Sequence, residues 1–219
     1  MKVLVFGATG MVGQGVLREC LLSSEVELVQ TIGRTPAKVQ GAKHRDIVHG
    51  DLWNYQSVEI KLTGFDACFF CLGTLSAGKS EEQYTHVTYA LTLAAAQTLV
   101  RLNPAMTFIY VSGDGADTSE TSGAMWARVR GKTENALLRL PFKAVYIFRP
   151  GLIQPMHGIK AKNALYRVTY GIIAPLMPLL RRIIPKLVTS TEQIGKAMIK
   201  VAKNGANQKI LRTPDFNRL

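Results

Sequence analysis

The sequence predicts a single doubly wound α/β domain built on a parallel sheet, and three observations predict it. Short apolar runs alternate with longer stretches of helical periodicity, the pattern of repeated βαβ units. Most of the short runs are continuously apolar, as strands covered on both faces are. No linker, internal repeat or low-complexity tract interrupts the 219 residues, so one domain over 1–219 with a sizeable core is expected. A hydrophobic share of 47% against 19% charged residues excludes a disordered chain.

The strands are expected at 2–6, 26–32, 45–49, 67–71, 107–111, 144–148 and 209–212. Between them the periodicity predicts helices at 11–22, 80–102, 123–140 and 194–201. Asn103-Pro104 ends the second and Pro141 the third, because proline cannot continue a helix and restricts the residue before it. Thr189-Ser190-Thr191-Glu192 reads as a capping box before the last helix, and Asn204-Gly205 as its stop. The least regular stretch, 151–188, follows the core strands and is expected to cover the substrate side.

Gly7-Ala8-Thr9-Gly10-Met11-Val12-Gly13 lies directly between the first strand and the first helix. Glycines at this spacing allow a tight turn, close approach of backbone to a pyrophosphate, and close packing of helix on strand. The helix N-terminus adds free N–H groups and a partial positive charge. This strand–loop–helix setting points to a Rossmann-type dinucleotide site rather than a purely structural turn. The end of the second strand selects the dinucleotide. An NAD site usually carries an acid there, for the ribose hydroxyls. Here the strand ends in Thr31-Ile32-Gly33-Arg34, with Lys38 one turn later. A guanidinium takes a 2′-phosphate through two parallel hydrogen bonds, so NADP is favoured over NAD. The plainer alternative for Arg34 is a solvated charge.

These motifs, with Cys71-Leu72-Gly73-Thr74, Ser112-Gly113-Asp114-Gly115-Ala116-Asp117 and Phe148-Arg149-Pro150-Gly151, run the length of the chain. Together they resemble an atypical short-chain dehydrogenase/reductase, and within that class the Tat-interacting-protein-like group. The resemblance implies a Rossmann fold with the cofactor lying across the carboxyl ends of the strands. It implies that Asp51, with Leu52 beside it, meets the adenine. Cys71, Leu72 and Gly73 would pass beside the adenosine ribose and pyrophosphate, and Pro150 would border the nicotinamide. A turn aspartate, a buried strand end and a loop proline are the plainer alternatives.

Enzymes of this kind carry a Tyr-x-x-x-Lys pair on the helix after the fifth strand. The tyrosine exchanges a proton, and the lysine lowers its pKa and grips the ribose. The corresponding positions here are Trp126 and Arg130, and no Tyr-x-x-x-Lys occurs anywhere in the chain. An indole N–H donates a hydrogen bond but does not exchange a proton near neutral pH. Arg130 keeps the positive charge and is expected to hold the ribose or phosphates. Ser112, at the end of the fifth strand, is the remaining hydroxyl able to orient a carbonyl. Tyr84, His86 and Tyr89 on the long helix and His157 after Gly151 are weaker candidates as proton donors. No metal site is expected from the spacing of His and carboxylate residues.

The net charge of +12 is uneven: residues 1–120 carry 9 Lys/Arg against 12 Asp/Glu, and residues 121–219 carry 18 against 3. No acid lies between Glu134 and Glu192. The apolar, proline-broken stretch 170–185, flanked by basic residues, is expected to form part of the substrate cover. The sharper alternative is peripheral contact with an anionic membrane. Nucleic acid is disfavoured, because no aromatic stacking platform accompanies the basic residues. Cys68 and Cys71 form a C-x-x-C within a strand pattern, where residues three apart point to opposite faces, so a redox pair is not expected. The chain opens directly on a strand, without signal-peptide or membrane-span features, and a cytoplasmic location is the expectation. The function expected is an NADP(H)-dependent reductase of a small carbonyl or quinone-like substrate. Its rival is a non-catalytic NADP(H) sensor or regulatory binding protein.

Overall fold

The computed structural model describes residues 1–159 and 182–219. Seven parallel strands form one sheet: β1 (Lys2–Phe6), β2 (Leu28–Gly33), β3 (His44–Val48), β4 (Ala67–Phe70), β5 (Thr107–Val111), β6 (Ala144–Arg149) and β9 (Ile210–Arg212). Their order across the sheet is β3-β2-β1-β4-β5-β6-β9. A separate two-stranded parallel pair joins β7 (Leu152–Gln154) to β8 (Val188–Ser190). The order reverses at β1, which places the switch point between the ends of β1 and β4.

Helices cover both faces of the sheet. The first face carries α2 (Glu81–Thr85), α3 (Leu91–Leu102) and α4 (Met125–Leu138), together with a 3-10 segment at Gln56–Leu62. Its core contains a file of aromatic rings across neighbouring strands. Phe6 stacks on Phe70 at 5.1 Å, Phe70 on Phe108 at 5.9 Å, and Phe108 on Phe142 at 5.1 Å. The other face carries α1 (Met11–Leu22), α5 (Thr191–Asn204) and α6 (Thr213–Phe216), packed on Val3, Val5, Phe69 and Phe148.

The expected strands and helices all occur, with local differences at their ends. Val26 is buried ahead of β2, but its N–H is turned back to the Ser23 carbonyl, so pairing begins at Leu28. Gly123 and Ala124 lie outside α4, because Ala124 is extended at its N-terminus. The long helix after β4 starts at a Ser80–Gln83 capping box and is broken at His86–Ala90 by a π turn. The helical pattern of the sequence carries no signal for that extra residue. The pair β7–β8 was also invisible, since three-residue strands are too short to show a period.

Asn103 does more than stop a helix. Its buried amide donates to the Leu62 carbonyl at 2.8 Å and accepts from the N–H groups of Gly64 (2.7 Å) and Phe65 (3.0 Å). It therefore ties the end of α3 to the turn that launches β4. Asn103→Ala leaves these backbone groups without partners and is expected to cost about 2–3 kcal/mol in urea unfolding. A loss below about 0.5 kcal/mol would mean that the turn is satisfied in another way.

Candidate functional site

The glycine loop is shaped by contacts that exclude any side chain. Gly7 has φ +77°, and a Cβ on it would lie 2.7 Å from the Cys71 carbonyl at the end of β4. A Cβ on Gly13 would lie 2.1 Å from the Gly7 oxygen, so α1 presses directly on the loop. The Gly10 N–H closes the turn onto the Gly7 carbonyl at 2.9 Å. No side chain caps the N-terminus of α1, and its first turn holds no acid. The open N–H groups there suit an anion, and the residues present fit the pyrophosphate of a dinucleotide.

A cavity of about 1140 Å³ runs from this loop across the strand ends. At its start it is lined by Gly7, Thr9, Gly10, Met11 and Val12. Arg34 and Leu52 border one side, and Cys71, Leu72 and Gly73 continue from β4. Ser112, Trp126, Arg130 and Pro150 line the far part, where Leu152 and Leu187 from the ends of the small strand pair add apolar surface. Gly13, Lys38 and Asp51 do not line it. Gly13 lies behind the loop, Lys38 is exposed with φ 55°, and Asp51 is exposed with Oδ1 accepting the Trp53 N–H at 2.9 Å. Arg34 is exposed and, among the described residues, makes no hydrogen bond or ion pair.

Buried charge organises the far part. Glu134 on α4 is fully buried and forms an ion pair with Arg149 at the end of β6. The guanidinium Nε lies 3.1 Å from each carboxylate oxygen. The same carboxylate accepts the Ser112 hydroxyl at 2.5 Å. That proton is therefore already engaged, which weakens Ser112 as the group expected to orient a carbonyl. Arg130, one turn before Glu134, donates from Nε to the Tyr84 hydroxyl at 3.1 Å, and Tyr84 lines the cavity. Burial pushes the neighbouring Tyr110 phenol up to about 12, opposed by the charge of Arg130.

The loop before α4 positions Trp126. Gly115 has φ +86°, and a Cβ there would come within 2.9 Å of the indole. Asp117 stiffens this loop by accepting the Ser119 hydroxyl at 2.6 Å and the N–H groups of Ser119, Thr121 and Ser122. These bonds, that from the Ser119 hydroxyl foremost, hold its carboxyl down at about 2.

The other candidate proton donors lie elsewhere. His86 is exposed and stacks on Trp53 at 5.0 Å. Tyr89 lies under the Lys132 ammonium, and His157 pairs with Glu192 on α5 at 2.7 Å. Glu19, His157 and Glu192 bring ligand atoms within 4.8 Å of one another, a grouping that sequence spacing could not reveal. Arg18 and Lys196 already occupy its two carboxylates. Cys68 and Cys71 are free thiols; burial pushes Cys71 up to about 12 and Cys68 well above its ordinary value. Residues 160–181, most of the expected substrate cover and of the apolar basic stretch, lie outside the described residues.

The Glu134–Arg149 pair has no motif in the sequence; its one signal there is an isolated acid in a strongly basic half. Glu134→Gln keeps the shape but leaves Arg149 charged and buried, and is expected to cost about 3–5 kcal/mol in urea unfolding. Adding Arg149→Met to the same chain should recover part of that loss. No recovery would show that packing, not charge, holds the region.

Comparisons with known proteins agree with this geometry. A family model described as NAD(P)H-binding matches residues 7–137. The mitochondrial protein FMP52 of Meyerozyma guilliermondii is 24% identical over 205 residues, which cover 92% of this chain and 85% of that protein. The mitochondrial fmp52 of Aspergillus clavatus is 34% identical over 159 residues, covering 69% and 66%. HTATIP2 of Rattus norvegicus is 26% identical over 155 residues, covering 69% and 62%. The chain thus spans less than two thirds of the length of the last two relatives. Among solved structures, the Bordetella bronchiseptica enzyme WbmF in complex with NAD+ has a TM-score of 0.70 at 13% identity, covering 97% of this chain and 72% of that one. A short-chain dehydrogenase/reductase family oxidoreductase from Burkholderia thailandensis gives 0.69 at 13%, covering 97% and 90%. At such identities they share the fold.

The expected cytoplasmic location is corrected by the same comparison, since the FMP52 relatives are named as mitochondrial proteins. An opening strand was a weak guide to compartment, because it describes the fold and not the address. With its Rossmann sheet, its glycine loop and a matched segment covering more than half its length, the chain belongs to the NAD(P)H-binding family, and it shares its fold with a short-chain dehydrogenase/reductase family protein.

Proposed function

We propose that this protein is an NADPH-dependent reductase of a small carbonyl or quinone-like substrate. The observation that carries the reading is the single continuous cavity. It joins an uncapped helix N-terminus at Gly10 to an apolar chamber at Trp126, Pro150, Leu152 and Leu187. Its volume slightly exceeds the ~300–1,000 Å³ usual for small-molecule sites, which suits a dinucleotide with a second small molecule.

The nicotinamide, when bound, supplies the reducing equivalent. The chain's own residues do the rest. The N–H groups at the start of α1 hold the pyrophosphate. Arg34, which among the described residues makes no hydrogen bond or ion pair, takes the 2′-phosphate in this reading. Leu72 and Gly73 give a smooth wall for the ribose, and Pro150 limits the nicotinamide end. Leu152 and Leu187 offer apolar surface to the substrate, and the flat indole of Trp126 favours a planar, apolar one.

A second reading, an NADP(H) sensor without turnover, draws on Trp126 in the place of the usual tyrosine and on the Ser112 hydroxyl held by Glu134. Consumption of NADPH with a panel of aldehydes and quinones separates the two; tight binding with no consumption on any member selects the sensor. Arg34→Asp is expected to weaken NADPH binding about 10–100-fold and NADH binding far less, since bonds to a charged group contribute about 1.5–3 kcal/mol. An unchanged ratio of the two affinities would return Arg34 to the solvated surface. Contact with an anionic membrane rests on the apolar basic sequence, of which Ile183 is exposed at 65% of its surface. Pelleting with anionic but not neutral liposomes is the expected result, and absence from both pellets would end that part of the reading.

A further inference from the structure

Within this reductase reading, on which the inference rests, we propose that Tyr84 is the proton donor and Arg130 the fixed cation that supports it. The acid–base pair is then split between two helices instead of lying on one.

The cavity lining leaves few groups able to deliver a proton. Among the described residues, Tyr84 is its one phenol, and no histidine lines it. Trp126 cannot exchange its proton near neutral pH. Ser112 donates to Glu134. Asp114 accepts from Arg212 at 3.1 Å. Cys71 sits at the other end of the cavity, pressed against Gly7, with its thiol pushed up by burial.

Tyr84 has the required setting. The residue is 1% exposed, yet it borders the cavity. Its oxygen accepts from Arg130 Nε at 3.1 Å, which leaves the phenolic hydrogen free to point elsewhere. The same guanidinium lies 3.6 Å from the position of a Cβ on Gly113, the residue after Ser112. Tyr84 is thereby tethered to the end of β5, beside the expected reacting atoms. The π turn at His86–Ala90 follows directly and offsets the face shown by α2 from the face buried by α3. Arg130 cannot lose its proton, so it offers a permanent positive charge to a developing phenolate.

The step balances as follows for an aldehyde. The carbonyl carbon gains one hydrogen and two electrons from NADPH, which leaves as NADP+. The C=O π bond breaks, and the oxygen takes the phenolic proton of Tyr84. The phenolate rests against Arg130 until water returns a proton to it.

The test compares the wild-type protein with Tyr84→Phe on two probes, 4-nitrobenzaldehyde and a benzoquinone. Reduction of the quinone yields a stabilised oxyanion and depends little on a protein acid, whereas the aldehyde needs one. Tyr84→Phe is expected to lower kcat on the aldehyde about 100-fold or more and on the quinone less than about 5-fold. NADPH affinity, followed by fluorescence titration, should stay within about 2-fold. Arg130→Lys should retain more aldehyde activity than Arg130→Gln. A direct contact is read without turnover: benzamide, whose carbonyl does not accept hydride from NADPH, should move the ¹³Cζ resonance of Tyr84. Equal losses on both probes, aldehyde activity kept by Tyr84→Phe, or an unmoved resonance would each overturn the role of Tyr84 while leaving the reductase reading intact. Wild-type protein that binds NADPH and reduces neither probe would overturn the reductase reading and this inference with it.

Discussion

One buried carboxylate holds the far half of the site together. Glu134 reaches from α4 to Arg149 at the end of β6 and to Ser112 at the end of β5. Each of the three alone would be costly to bury, and together they satisfy one another. The consequence extends beyond the pair. Arg130 and Trp126 lie one and two turns earlier on the same helix, and both line the cavity. Pro150 follows Arg149 directly, and its carbonyl accepts the Asp114 N–H at 2.9 Å. The near half, at the glycine loop, depends instead on steric contact between backbones. The cavity thus joins an end fixed by close packing to an end fixed by charge.

The division also explains what could be read from the sequence. Glycines required by backbone contact are local: Gly7, Gly10 and Gly13 fall within seven residues and sit between a strand and a helix that announce themselves. Arg34 ends a strand whose apolar run is equally plain. The pairing of Glu134 with Arg149 joins residues fifteen apart through the third dimension. That of Arg130 with Tyr84 joins residues forty-six apart. Neither has a fixed spacing to search for. The π turn is hidden for another reason, because one inserted residue leaves an apolar helical pattern nearly unchanged over a single turn. Asp51 and Lys38 show the limit of positional reasoning: each stands where expected in the chain, and each side chain is exposed outside the cavity.

On the role proposed for Tyr84, the loss of the usual tyrosine is made good in space and not in sequence. Trp126 packs against Gly115 and gives the chamber a flat apolar wall. Arg130 retains a charge that no pH within the stable range of a protein removes. Its Nε is directed to Tyr84 on α2 and not to a phenol on its own helix. A site rearranged in this way keeps a cation and a hydroxyl, while the element that presents the hydroxyl changes.

The two tryptophans stand in different surroundings. Trp126 lies within the lining, while Trp53, adjoining the lining residue Leu52, is stacked against the His86 imidazole at the surface. Their surroundings differ in polarity and in neighbours, so their emission should differ in wavelength and in response to a bound molecule. The protein therefore carries two native optical reporters, one in the cavity wall and one outside it, so that filling of the chamber is read against an internal reference without any added label.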